Sequence, residues 1–386
     1  MASLPQLANP APSAKPSGRL IELDILRGFL LLWMTLTHLP TIASVISNQT
    51  FGFVSGAEGF IFLSAFMVGQ LEYRIEEKRG RLAALRDLAK RTVRVYLYHC
   101  ALLAIAFVVL APIGVQFHRL AIQNLLSYYL ADPKHALVAA ALLEYRPSLL
   151  DILPMYVIFM ALTPVAREIA RRWSWEPVVY ASFGLWAIAQ FGLRGWLYRQ
   201  GGLFGLQVPE SSTGAFDLYA WQLLWIVGLA LGSITFRGGP SQPRRQHIPE
   251  WLWKISLALG IGFLILRYSP MDRWMNPEVY GWLIDKWHLG PTRLINFSAL
   301  AILVVRFGTR LASLPFVAPL YLLGQASIEV FSVHVLCCLA GHSLSEDADP
   351  TQPWWQQAIL LVVTISALFL TALAHRAWVS KRRAGS

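Results

Sequence analysis

The chain has 386 residues, of which 55% are hydrophobic and 14% charged, with 15 tryptophans and a formal net charge of +11. Such an apolar load is unusual for a water-soluble domain and ordinary for a chain that builds its core against lipid. The basic residues are spread over loops instead of forming a patch interleaved with aromatics, which argues against nucleic acid as a partner.

Residues 1–18, rich in Ala, Pro and Ser, read as a short disordered cytoplasmic tail. Hydropathy then predicts about ten transmembrane helices, near 24–46, 51–73, 93–113, 148–166, 176–193, 216–236, 251–268, 292–309, 317–340 and 356–378. The expected fold is therefore an all-α polytopic membrane helix bundle occupying residues 19–380, with a basic cytoplasmic tail at 381–386. The first span is too long, and too poor in a small-residue cleavage site, for a removed signal peptide. A cytoplasmic N-terminus places roughly two dozen Lys and Arg inside and about nine outside, with Arg74 to Arg94 the most basic loop and both termini cytoplasmic.

The first span carries Arg27 and His38. Charged groups in hydrocarbon are costly, so they point to function. Eleven helical steps leave the two side chains within roughly 20° of one face and about 16 Å apart along the axis. The second span contains Ser55-Gly56-Ala57-Glu58, and the short connection between the spans sets Glu58 at the depth of His38. A carboxylate that fixes an imidazole tautomer and stabilises its protonated form makes an effective general base, so His38 and Glu58 form the candidate catalytic pair. The plainer alternative is a buried polar pair that locks two helices together.

The third span opens with Lys90-Arg91-Thr92-Val93-Arg94 and reaches His99 about a turn and a half deeper. Arg91 and Arg94 lie on adjoining positions of one face, at the membrane surface where Arg27 emerges, and three guanidinium groups suit phosphates or carboxylates. Positive-inside bias with snorkelling side chains is the competing explanation. Between 114 and 147, the stretch Ala136 to Leu143 is too short to span and reads as re-entrant or interfacial. Asp151 and Asp217 begin spans, where an N-cap explains an aspartate. Gln222 suits an interhelical hydrogen bond, and His334 is placed to line a cavity. His99, Asp151, Gln222 and His334 join Arg27, Arg91 and Arg94 as candidate substrate-binding residues. Trp274, Trp282 and Trp287 read as interfacial anchors, and 237–250 as a flexible basic connector. Cys100, Cys337 and Cys338 all fall within spans, and no phosphate loop, metal motif or dinucleotide fingerprint occurs, so neither a metal site nor a bound cofactor is expected.

Taken in order, Leu23-Asp24 to Pro40, Glu58 to Ser64, Arg91 to His99, Asp151 to Tyr156, Ala220 to Leu224, Asp285 to Arg293 and Leu323 to Ser327 resemble the OpgC-type membrane proteins. These sit within the wider group of acyltransferase-3-like integral membrane acyltransferases. The wider group has an arginine, ten residues and a histidine in its first span, matched by Arg27 and His38, and an Arg-x-x-Arg pair at the start of its third, matched by Arg91 and Arg94. The resemblance implies O-acyl transfer across a bacterial inner membrane, from a cytoplasmic acyl-CoA such as succinyl-CoA to a hydroxyl of a periplasmic glucan or other glycan. A transporter or flippase for an anionic or glycan substrate, with His38 and Glu58 as a proton relay, is the alternative of a different class.

Overall fold

The computed structural model describes residues 21–202, 208–235, 248–270, 273–344 and 352–384. The expected N-terminal tail, and all but the last three residues of the 237–250 connector, lie outside the described residues. Among the described residues there is no strand, and eleven helices position the site. They are α1 (Ile21–His38), α2 (Gly56–Arg79), α3 (Arg81–Ile105), α4 (Ile152–Trp173), α5 (Trp175–Ala189), α6 (Leu218–Thr235), α7 (Glu250–Tyr268), α8 (Pro291–Ala312), α9 (Ala318–Gln325), α10 (Ser327–Leu344) and α11 (Trp354–Ala384). A π-turn at Ala106–Leu110 and a further helix, Ala111–Gln116, prolong α3.

Among the described residues seven helical segments are long and apolar enough to cross a membrane: α3 with its prolongation, α4, α6, α7, α8, α10 and α11. The chain is a multi-pass membrane protein. The remaining expected spans correspond to α1, α2 and α5. Glu22, Asp24 and Arg27 interrupt the hydropathy of α1, Glu58 and Glu72 that of α2, and α5 has only 15 residues. Asp24, Glu58 and Glu72 are fully buried. The charged helices α1 and α2 therefore pack in the interior beside the apolar α4, α6 and α10, and the largely exposed α7, α8 and α11 form the lipid-facing shell. In α7, Ser256 is the one buried residue among those described, and Trp251, Ile255, Ile261 and Ile265 point outward.

Two expected spans are broken. The helix expected over 24–46 ends at His38, because Pro40 has no N–H for the next turn and drives Leu39 out of the helical region. A short helix, Ile42–Ser47, follows with Ile42, Val45 and Ile46 exposed, and His38 thus sits at a helix end. The span expected over 317–340 divides at Ala326, between α9 and α10. The stretch from Ala136 to Leu143 falls mostly in a nine-residue helix, Pro133–Ala141, that buries Ala136, Ala139 and Ala140 and is too short to span. Lys381 and Arg382 continue α11 as helix.

The interior helices approach through glycine. A Cβ on Gly28 of α1 would lie 1.9 Å from the Leu320 carbonyl of α9, and one on Gly324 of α9 would lie 1.8 Å from the Asp24 carbonyl of α1. The contact is reciprocal, a small-residue crossing that brings two backbones together in a setting where lipid supplies no hydrophobic drive. Gly69, Gly228 and Gly232 serve α2 and α6 in the same way, each facing a backbone carbonyl of the opposite helix. At the end of the bundle remote from His38, Arg167 of α4 pairs with Glu72, 3.4 Å away, and with Glu76, while Arg81 meets Glu168 at 2.7 Å.

Gly28→Leu is expected to destabilise the folded protein by about 3 kcal/mol or more, at or beyond the top of the range for overpacking, because the obstacle is backbone. Gly184→Ala in α5, which meets nothing within 4 Å, should leave the melting midpoint of the detergent-solubilised protein unchanged.

Candidate active site

The candidate residues separate into two groups along α1. Arg27 donates to the Ser327 hydroxyl, at the first residue of α10, and lies 3.8 Å from the Asp24 carboxylate. It thereby braces the break between α9 and α10. Arg91 is held by Asp87, one turn back, at 2.6 Å. Tyr156 lies within electrostatic reach of both Arg27 and Arg91. Arg94 is exposed and lies beside Tyr98, whose hydroxyl donates to Glu329 at 3.4 Å. The three arginines expected in one place therefore divide, two around Tyr156 and one beside Tyr98.

The second group surrounds a cavity of about 190 Å³ at the end of α1. His38, Asp151, Lys286, His334, Ser148 and Trp287 contribute to its lining. His38 stands where α1 stops, its backbone carbonyl accepting from His342 Nε2 at 3.2 Å and its ring stacked on His334 with centroids 5.5 Å apart. Among the described residues His38 Nδ1 is buried with no hydrogen-bond partner; Nε2 is not so buried, and the residue lines the cavity. His334 is packed against Phe331, and its Nδ1 is 3.5 Å from the Cys338 thiol one turn on. Asp151 accepts from the Ala215 amide at 3.1 Å, so it ties the loop before α6 to the start of α4 as well as lining the cavity.

Glu58 is not the partner of His38. One carboxylate oxygen accepts from the Ser55 amide at 3.0 Å and the Ser55 hydroxyl at 2.6 Å, closing the first turn of α2 on its own cap. The other takes both Nε, at 2.9 Å, and Nη2 of Arg293 from the first turn of α8. Both side chains are fully buried, so the carboxylate is committed to its guanidinium. Equal depth is satisfied, but the side chain is engaged elsewhere.

The loop between Asp285 and Gly290 was among the motifs that carried the resemblance, and it supplies what residue-by-residue reading missed. Lys286 projects into the cavity, its ammonium 5.0 Å from the Trp287 ring and 5.9 Å from that of Phe216. Burial pushes the Lys286 ammonium below the usual lysine range, with the nearby Glu58 carboxylate opposing that shift. The loop is held by Trp287, whose carbonyl accepts from the Asp217 amide and the Trp221 indole, each at 3.0 Å. His288 bonds Asp285 and faces Asp217 at 3.9 Å, and its hydrogen bond to Asp285 raises the imidazole above its ordinary range.

Two candidates lie outside both groups. His99 is completely buried in α3, with neither ring nitrogen bonded among the described residues and no place in the cavity lining. Gln222 clasps α5, accepting from the Ser182 hydroxyl at 2.6 Å and donating to the Ser182 carbonyl at 2.9 Å, which is the interhelical role its position suggested.

A multi-pass helical bundle with a histidine, lysine and aspartate cavity at one end of its first helix is the class these features define. The family model for the OpgC protein matches residues 19–381, nearly the whole chain, and the chain belongs to that family. Neither a curated protein nor a solved structure matches it.

Removing either member of the Glu58–Arg293 pair leaves a buried charge alone and is expected to cost about 3–5 kcal/mol. Glu58→Leu and Arg293→Met should each lower the melting midpoint strongly, and the double variant should fall less than the two single effects added together. Strict additivity in that cycle would show that the pair is uncoupled.

Proposed function

We propose that the protein is an inner-membrane O-acyltransferase that moves an acyl group from a cytoplasmic acyl-CoA to a hydroxyl of a periplasmic glucan or related glycan. Family membership supports a transferase, and the resemblance favours succinyl-CoA as donor. The observation that carries the chemistry is the cavity at the end of α1, where His38, with one ring nitrogen available, shares a wall with the Lys286 ammonium.

In this reading the acceptor hydroxyl enters the cavity and gives its proton to His38 as its oxygen attacks the thioester carbonyl. Lys286 offsets the negative charge that develops on the carbonyl oxygen. The C–S bond then breaks, and the coenzyme A thiol leaves with the proton from His38. His334, stacked on His38, and His342, bonded to its backbone, position the base. In this reading Arg27, about 16 Å along α1 from the base, and Arg91 on α3 hold the phosphates of the donor. A proton-relay transporter loses its carboxylate, since Glu58 is held by Arg293 and Ser55.

His38→Ala should lower turnover by about 10²- to 10⁴-fold while donor binding is retained, because a general base acts in the transition state. Arg27→Gln together with Arg91→Gln should weaken acyl-CoA binding instead. Proteoliposomes supplied with acyl-CoA and a glucan oligosaccharide provide the assay. Movement of intact substrate with no thioester cleavage would replace the enzyme by a transporter.

The proposed orientation has both termini and the α2–α3 connection in the cytoplasm and the His38 cavity toward the periplasm. In intact spheroplasts, an impermeant thiol reagent should label Glu278→Cys and spare Lys78→Cys, both at exposed positions. The opposite pattern would invert the orientation and move the acceptor to the cytoplasm.

A further inference from the structure

A second cavity, of about 330 Å³, adjoins the first. Phe216 stands in both walls, and the loops around 142–152 and 213–219 build the two together. Its polar lining consists of Glu144, Arg146, Arg194, Tyr198, Thr213 and Tyr219, none of which takes part in the reaction described above.

The two arginines use their guanidinium groups differently. Arg194 is consumed by the loop before α6, donating to the Ala215 carbonyl at 3.3 Å, the Thr213 hydroxyl at 2.8 Å and the Gly214 carbonyl. It is a brace. Arg146 is only 9% exposed, its Nε is buried without a partner, and among the described residues nothing bonds its terminal nitrogens. Its backbone is pinned by an amide bond to the Ser212 carbonyl at 3.0 Å. Gly214, at φ +88°, lets the loop turn over it: a Cβ there would come within 3.1 Å of the Arg146 side chain.

The nearest carboxylates attract Arg146 without bonding it: Asp151 accepts from Ala215, and Asp217 accepts through Oδ1 from the Tyr219 and Ala220 amides at 2.8 and 3.3 Å, with Oδ2 facing His288 at 3.9 Å. Burial, followed by the like charge of Arg194, pushes Arg146 down to about 10, which leaves it cationic at neutral pH. A buried guanidinium without a partner is costly, and its planar fork matches a carboxylate or phosphate in bidentate fashion. Glu144 in the same lining opposes a bare anion but accepts hydroxyl donors. The set therefore suits an acidic group carried on a polyhydroxylated chain.

Resting on the acyltransferase reading, we propose that this cavity is an acceptor subsite in which Arg146 holds a carboxylate or phosphate substituent of the glycan while a neighbouring hydroxyl reaches His38. The enzyme would then prefer a glycan that already bears a negative charge.

The test uses the full chain in proteoliposomes, with a neutral glucan oligosaccharide and the same oligosaccharide carrying one carboxylate substituent. The charged acceptor should show a KM about tenfold or more below the neutral one. Arg146→Gln should abolish that difference by raising KM for the charged acceptor alone, and Arg146→Lys should restore part of it. Equal KM values for the two acceptors in the unaltered protein, or an equal Arg146→Gln effect on both, overturns the proposal. An Arg146→Gln defect confined to succinyl-CoA, absent with acetyl-CoA and the neutral acceptor, would assign the site to the donor's carboxylate and also overturns it. A binding measurement separates this outcome from failure of the acyltransferase reading. In the Arg27→Gln, Arg91→Gln background, which removes the proposed donor-phosphate contacts, inorganic phosphate should still raise the melting midpoint, and adding Arg146→Gln should abolish that rise, even where no acyl transfer is detected. If Arg146→Gln does not fold, absence of a phosphate shift in the unaltered protein still refutes the subsite.

Discussion

The buried ion pair between Glu58 and Arg293 holds the functional end of the bundle together. Glu58 closes the first turn of α2 through Ser55, and Arg293 begins α8, so one carboxylate joins two helix starts that are 235 positions apart. One turn further along α8, Asn296 accepts from the Phe53 amide at 2.8 Å, which fixes the chain leading into α2 to the same helix. The loop that carries Lys286 ends at the first turn of α8. Its position over the His38 cavity is therefore set by the pair. In hydrocarbon neither charge has water to fall back on, so the pair has no inexpensive alternative arrangement.

The same constraint explains why the charged helices α1 and α2 stand in the middle, beside the apolar α6. α1 and α2 carry Asp24, Arg27, Glu58 and Glu72 inward, where Ser327, Arg293 and Arg167 receive three of them. Close glycine crossings let α1 meet α9 and α2 meet α6 backbone to backbone, so these polar contacts form at short range. Hydropathy alone ranks α11 and the prolonged α3 highest, yet the few buried residues of α8 include the functional anchors Arg293 and Asn296.

Much of this was legible in the chain. The all-helical membrane class follows from composition, and His38, Asp151 and His334 do line one cavity. The pairing of His38 with Glu58 failed because helical rise gives depth but not direction around the axis. A local signal competed with it: Ser55-Gly56-Ala57-Glu58 has the spacing of a capping box, which turns the glutamate back toward its own helix start. Pro40 likewise marked the end of α1 in advance. Lys286 and Arg146 were harder to find. Both sit in loops without periodicity, and what distinguishes them is burial produced by segments distant in sequence.

In the proposed acyltransferase reading, a histidine base with no carboxylate bonded to its ring alters the order in which charge must move. The His334 imidazole stacked on its ring and the Lys286 ammonium in the same wall do not stabilise an imidazolium, and the carboxylate of that wall, Asp151, accepts from the Ala215 amide. A proton taken from the acceptor is therefore held at a cost unless negative charge appears nearby at the same moment. The oxyanion formed on the thioester carbonyl is that charge, and Lys286 stands where it offsets both the oxyanion and its later collapse. Proton abstraction and attack on the carbonyl are thereby tied together: an acceptor hydroxyl is activated only when an acyl group is present to receive it. On that reading the cavity, with Lys286 beside the base, would guard against idle deprotonation, a role that a His–Glu dyad, which holds the proton comfortably by itself, would not supply.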